Sequence, residues 1–173
     1  MSWRERVVGF VEEQRWLDQL GDAATDVARP FLDDPAARRP LAVLRGEWLG
    51  HPLHPPLTDL PIGCWTASVL LDLVCESRAA GVLTAAGSAA AVGTMAAGFA
   101  DWTASEGRIR RLGVLHAVLN TGALGIQLCS LGARLRRRKL RALSLSLLGL
   151  SVAAASAWLG GEMVYGQPVR TEQ

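Results

Sequence analysis

The sequence predicts an all-α integral membrane protein, a four-helix bundle preceded by an amphipathic helical segment. Three observations carry this reading. Half of the 173 residues are hydrophobic, while the net charge is only +2. Charges fall in blocks and leave three uncharged runs, Ala79–Ala100, Leu112–Ala133 and Ala142–Gly161. A run of roughly 18 residues or more is long enough to cross a bilayer as a helix. A soluble Ala-rich bundle is the competing reading, and it seldom needs three such runs in so short a chain.

Residues 1–44 form the N-terminal segment. Trp3, Val7, Phe10, Leu17, Ala24, Val27 and Phe31 recur near helical spacing among arginines and acids. That pattern predicts one or two amphipathic helices, broken at Gly21–Asp22. They fit the membrane interface, or packing on a second copy in a homo-oligomer. The acids among the first arginines leave no apolar core of signal-peptide length, so no cleaved signal is expected. Asp33–Pro40 reads as a loop by its prolines and charges.

Residues 45–169 form the membrane domain, with 170–173 as a tail. The first span is placed at about 58–76, with Thr58 as N-cap and Pro61 in the first turn, where a missing N–H costs little. The others are placed at about 80–101, 111–133 and 141–163. Short connections make sequential helices antiparallel. Small residues recur every four positions, as in Ala86, Ala90, Thr94 and Gly98, and let helix backbones approach closely in lipid. Cys64, Cys75 and Cys129 lie in or beside apolar runs without a C-x-x-C spacing, and read as small apolar fillers.

This topology gathers the polar residues at one end. His51, His54 and Asp59 enter the first span, Asp101 and Trp102 end the second, His116 opens the third and Glu162 ends the fourth. Ionisable groups at membrane depth usually face a bundle interior or a water-filled cavity. The prolines of GHPLHPPLTDLPIG (Gly50–Gly63) favour an extended segment. His51 and His54 would then stand about 9 Å apart, too far to chelate one small ion by themselves. A mixed site for a divalent metal needs His116 as well. Haem b is the other candidate, with His116 as one axial ligand and His54 as the second. Asp59, Asp101 and Glu162 would orient these rings as acceptors. His116, Asn120 and Gln127 share one helical face, which suits interhelical hydrogen bonding or a proton pathway.

Three function classes follow: a haem- or metal-binding subunit in electron transfer with a separate redox partner, a non-catalytic scaffold or anchor, and a small proton or ion pathway. No nucleophile–base pair, phosphate loop or nucleotide fingerprint points to a self-contained enzyme. No basic patch with interleaved aromatics points to nucleic acid. Arg134–Arg141 holds six basic residues in eight, which favours a cytoplasmic loop and an extracytoplasmic histidine rim.

GEWLGHPLHPPLTDLPIGCWTASVLLDL, ADWTASEGRIRRLGVLHAVLN and WLGGEMVYGQPV resemble a family of bacterial four-helix membrane proteins, domain of unknown function 2231 (DUF2231). The resemblance implies a bacterial plasma-membrane location. It also implies a redox setting, because some members look fused to Rieske-type iron–sulfur domains. Its signature falls on His51, Pro52, His54, Pro55, Asp59, Pro61, Gly63, Asp101, Trp102 and His116. Some relatives carry histidine where this chain has Glu162, and the pattern at 166–168 also differs.

Overall fold

The computed structural model describes residues 2–166. The 170–173 tail and the Gln167–Pro168 part of the closing pattern lie outside them. Among the described residues there are seven α-helices and no strand: α1 (Trp3–Glu12), α2 (Arg15–Leu32), α3 (Arg38–Leu44), α4 (His54–Leu73), α5 (Ser77–Trp102), α6 (Gly107–Leu135) and α7 (Lys139–Tyr165). Helices α4–α7 stand where the four bundle helices were expected, and the N-terminal segment holds three α-helices instead of one or two.

The N-terminal break also moves. Ser2 and Glu5 form a capping box that starts α1, and the chain turns at Gln14 rather than at Gly21–Asp22. Gly21 lies inside α2, where a Cβ would stand 3.2 Å from the Arg110 side chain. The glycine serves close helix approach, not a break. The expected loop at 33–40 is instead structured. The Asp34 side chain accepts from Ala36 N and starts a 3-10 turn at Pro35–Ala37, followed directly by α3.

The proline-rich segment departs most from expectation. Leu53 is already helical in backbone (φ −81°, ψ −28°), and α4 begins at His54. Pro55 and Pro56 occupy its first turn, where no N–H needs an intrahelical partner. Thr58 does not cap, because its hydroxyl donates back to Pro55 O at 2.6 Å. The extended His51–His54 geometry is thus replaced by a helix start.

On length and composition α5, α6 and α7 are able to cross a membrane. The fourth expected span, α4, is not among them, since His54, Thr58, Asp59 and three prolines dilute its apolar half. It still packs along α5, as α6 does along α7. The α5–α6 and α4–α7 contacts close the ring; α1 and α2 lie on α6, and α3 lies on α5.

The two hairpins α4–α5 and α6–α7 repeat one another at an offset of 62 residues without a gap. Ser68 Oγ donates to Ala80 O and pairs with Thr84 Oγ1 at 2.7 Å. Ser130 Oγ donates to Ala142 O and pairs with Ser146 Oγ at 2.8 Å. Cys75 and Arg137, the two non-glycine residues with positive φ among the described residues (67° and 57°), follow α4 and α6 at equivalent positions. Gly87 lies against Trp65, and Gly149 against Gln127, again 62 apart in each member. Two contacts between hairpins join a position to its own equivalent: His54 with His116, and Asp72 with Arg134. They mark a pseudo-twofold axis running through the bundle. Their separation of 18 residues is about 27 Å of helix, close to the hydrocarbon thickness of a bilayer.

Candidate functional site: a histidine pair on the pseudo-twofold axis

His54 is placed by the first turn of α4 and His116 by the third turn of α6. Their ring centres are 5.9 Å apart and their planes nearly perpendicular, at 86°. The orienting groups are not the expected carboxylates. His54 Nδ1 donates to Thr94 O and His116 Nδ1 to Ser156 O, both at 2.8 Å. A carbonyl can only accept, so each ring carries a proton on Nδ1, and Nε2 is the nitrogen left for another partner. Ser156 Oγ donates to His116 O at 3.0 Å and lies 2.9 Å from His116 Nδ1. Gly98 and Gly160 supply the space beside the rings, one turn after Thr94 and Ser156.

A cleft opens on each side of this pair. One, of about 600 Å³, runs between α5 and α6 and is bounded by Met95, Phe99, Asp101, Trp102 and, from α2, Leu20 and Ala24. The other, of about 370 Å³, runs between α4 and α7 past Pro61, Trp65 and Ala157. His54, His116 and Asn120 border both clefts. The surroundings are mainly apolar, with Asp101 the acid on the wall of the larger cleft.

Of the remaining expected rim residues, Trp102 stays on the wall of the larger cleft, while His51, Asp59 and Glu162 separate from the pair. His51 is exposed and bonds only to the neighbouring Pro52 O, and Asp59 is exposed. Trp102 Nε1 donates to Arg110 O at 3.0 Å, and the Arg110 guanidinium lies 5.0 Å from the Trp102 ring centre. Glu162 is buried but accepts from Arg4 at 2.5 Å and 2.9 Å and faces Arg108, so it anchors α1 rather than a histidine. The polar stripe divides. Asn120 Nδ2 donates to His116 Nε2 at 2.9 Å, whereas Gln127 is fully buried farther down and donates to Ser146 O. Among the described residues no three His, Cys, Asp or Glu side chains gather as a metal-ligand set.

Thr94, Gly98, Ser156 and Gly160 were absent from the sequence reading as site residues. Their signal is the 62-residue offset, which pairs Thr94 with Ser156 and Gly98 with Gly160 as it pairs the two histidines.

Ion pairs hold the N-terminal helices over this end. Besides Arg4–Glu162, they are Arg108–Glu12, Arg110–Asp22 and a two-pronged Arg111–Asp18 contact at 2.7 and 2.8 Å. Hydrogen bonding to Arg111 holds the Asp18 carboxyl below its ordinary value of 3.8. A depressed folded-state value means the contribution is full above 3.8 and fades as pH falls through the lower folded value. The α2–α6 distance, read between spin labels at Asp26→Cys and Glu106→Cys on a background without native cysteines, is expected to lengthen and broaden only below that pH. An unchanged distance in Asp18→Asn, which removes the charge at any pH, would show that other contacts dock α2.

All-helical among its described residues, with three helices long and apolar enough to cross a membrane, the chain is a membrane protein. It belongs to the family described as "Predicted membrane protein (DUF2231)", whose model matches residues 50–173. Helices α1–α3 precede the matched region. No curated protein and no solved structure matches the chain.

Proposed function

We propose that this protein is a haem b-binding membrane subunit of electron transfer, with His54 and His116 as axial ligands. The observation that carries the reading is the histidine pair on the pseudo-twofold axis, flanked by a cleft on each side. Two imidazoles bonded to one metal from opposite sides, at about 2 Å per bond, stand with ring centres roughly 6 Å apart. The pair here, at 5.9 Å, has that spacing. Both Nδ1 protons are engaged by carbonyls, which leaves Nε2 as the ligating atom, the usual arrangement for a histidine ligand. The apolar walls of the two clefts would shelter the body of the group beside the histidines that would hold it. Haem brings its own equatorial nitrogens and asks two residues of the protein, whereas a small divalent ion asks three or four. Bound haem supplies one-electron redox chemistry. The chain orients the rings, shields them with apolar walls and presents one end to a separate redox protein, such as a Rieske-type partner.

The same repeat supports α4 as a fourth span, because its equivalent, α6, is itself long and apolar enough to cross. Residues 1–44 then form an interfacial segment beside a membrane domain of 45–169. The basic Arg134–Arg141 loop lies at the end opposite the histidines, which favours an extracytoplasmic site in a bacterial plasma membrane. A proton pathway along His116, Asn120 and Gln127 has less support, since Gln127 is held in the Ser146 network.

The test is the absorption spectrum of the full chain purified in detergent and titrated with hemin. A Soret band at one haem per chain is expected, lost in the double variant His54→Ala/His116→Ala. No Soret shift in the native chain, or an undiminished one in the double variant, overturns the proposal.

A further inference from the structure

The pseudo-twofold makes the two histidines equivalent in backbone position but not in what holds their ligating atoms. Asn120, one turn after His116, donates to its Nε2 at 2.9 Å. The equivalent of Asn120 in the other hairpin is Thr58, one turn after His54. Its hydroxyl donates to Pro55 O instead. Among the described residues His54 Nε2 has no hydrogen-bond partner. The Nδ1 bonds to the Thr94 and Ser156 carbonyls are matched, whereas Ser156 Oγ also lies 2.9 Å from His116 Nδ1 and Thr94 Oγ1 donates instead to Leu57 O and Ala90 O. Of these asymmetries, the Asn120 bond is the one that falls on an Nε2 atom.

We infer that His54 would be the fixed ligand to haem and His116 the exchangeable one, because Asn120 competes for His116 Nε2 and so lets a small external ligand take its place. The inference rests on the haem reading. A metal bond to His54 Nε2 displaces no protein hydrogen bond. A bond to His116 Nε2 must first release the Asn120 amide into a mainly apolar cleft, where an unsatisfied donor weakens ligation by about tenfold or more. Retained in place, that amide becomes a donor beside the open face. Donors and polarity on the distal side decide whether a haem binds an external ligand or only transfers electrons. The external ligand must be small, neutral and able to accept a hydrogen bond, because Met95, Phe99 and Ala157 line the approaches and no cation does.

The experiment titrates hemin into the full chain in detergent, then adds carbon monoxide after dithionite reduction. His54→Ala is expected to lower hemin affinity at least tenfold, and His116→Ala by less than threefold. The native reduced protein is expected to bind carbon monoxide. Asn120→Thr, which copies the other hairpin, is expected to raise the six-coordinate low-spin fraction and to slow carbon monoxide binding about tenfold. Asn120→Ala should do the same, guarding against a folding defect in one variant. Equal losses in the two histidine variants, or an unchanged spectrum in both Asn120 variants, overturn this inference while leaving the haem reading standing. Absence of any Soret shift overturns both. Without hemin, the ¹⁵N resonance of His116 Nε2 is expected to move in Asn120→Thr; an unmoved resonance removes Asn120 from the role.

Discussion

Exchanging Asp72 and Arg134 in one protein, Asp72→Arg with Arg134→Asp, is expected to restore most of the stability that either single change removes. The pair sits on the pseudo-twofold axis at the end away from the histidines. Arg134 Nη1 donates to Asp72 Oδ1 at 2.6 Å, and the side chains are 7 % and 8 % exposed. Removing one partner strands a charge in a low-dielectric interior, at a cost of about 3–5 kcal/mol. The singles are therefore expected to unfold at much lower denaturant in mixed micelles. The exchange works only if the environments are equivalent. Arg134 Nη2 also donates to Ser68 Oγ at 3.2 Å and Ser146 Oγ at 3.0 Å. The repeat maps these hydroxyls onto Ser130 and Thr84, so an arginine at 72 meets the same chemistry. An exchanged protein as unstable as the singles would show that the two ends are not interchangeable.

That pair also explains what the sequence concealed. By sequence alone Asp72 lies near the end of the first span, close to Glu76 and Arg78, and Arg134 opens the basic run to Arg141, so each looks like a boundary charge. In the fold the last turns of α4 and α6 wind toward the axis before Cys75 and Arg137 reverse the chain, and both residues become interior. Charge runs report where a helix leaves the membrane. They do not report which one of several charges faces inward.

The apolar helices were legible because their signal is composition over about 20 residues, which tertiary context rarely overrides. Local breaks were less so. Pro55 and Pro56 read as extended chain, yet a proline in a first helical turn costs nothing and even presets φ. Gly21 read as a breaker, yet a glycine inside a helix also marks a place where another helix comes close. At the site, His54, His116, Asn120, Asp101 and Trp102 were legible as rim residues from topology alone. Their roles were not. Acids near a histidine suggested carboxylate partners, but Glu162 is taken by Arg4, and the carbonyls of Thr94 and Ser156 hold the rings. A backbone carbonyl bears no sequence signature, and the 62-residue repeat that would have exposed it keeps few identities across the two hairpins.

Gly98→Ala and Gly160→Ala are expected to differ sharply, although the repeat makes them equivalent. A Cβ at 98 would stand 2.7 Å from His54 Cε1 and Nδ1, closer than side chains approach without displacement. The ring cannot retreat freely, because its Nδ1 is tied to Thr94 O, one turn earlier on the same helix. Either that bond or the α4–α5 packing must yield, at about 1–3 kcal/mol for an overpacked interior. At 160 the nearest His116 atoms are 3.3 and 3.7 Å away, so a shift of a few tenths of an ångström suffices. Alanine also favours a helix over glycine by about 0.5–1 kcal/mol, which is expected to leave Gly160→Ala near neutral. Unfolding in mixed micelles checks the order, and hemin titration checks its consequence. Gly98→Ala should lose hemin affinity with His54, and Gly160→Ala should keep it. Equal behaviour of the two variants would mean that His54 moves without cost, and a ring free to move is not a fixed ligand.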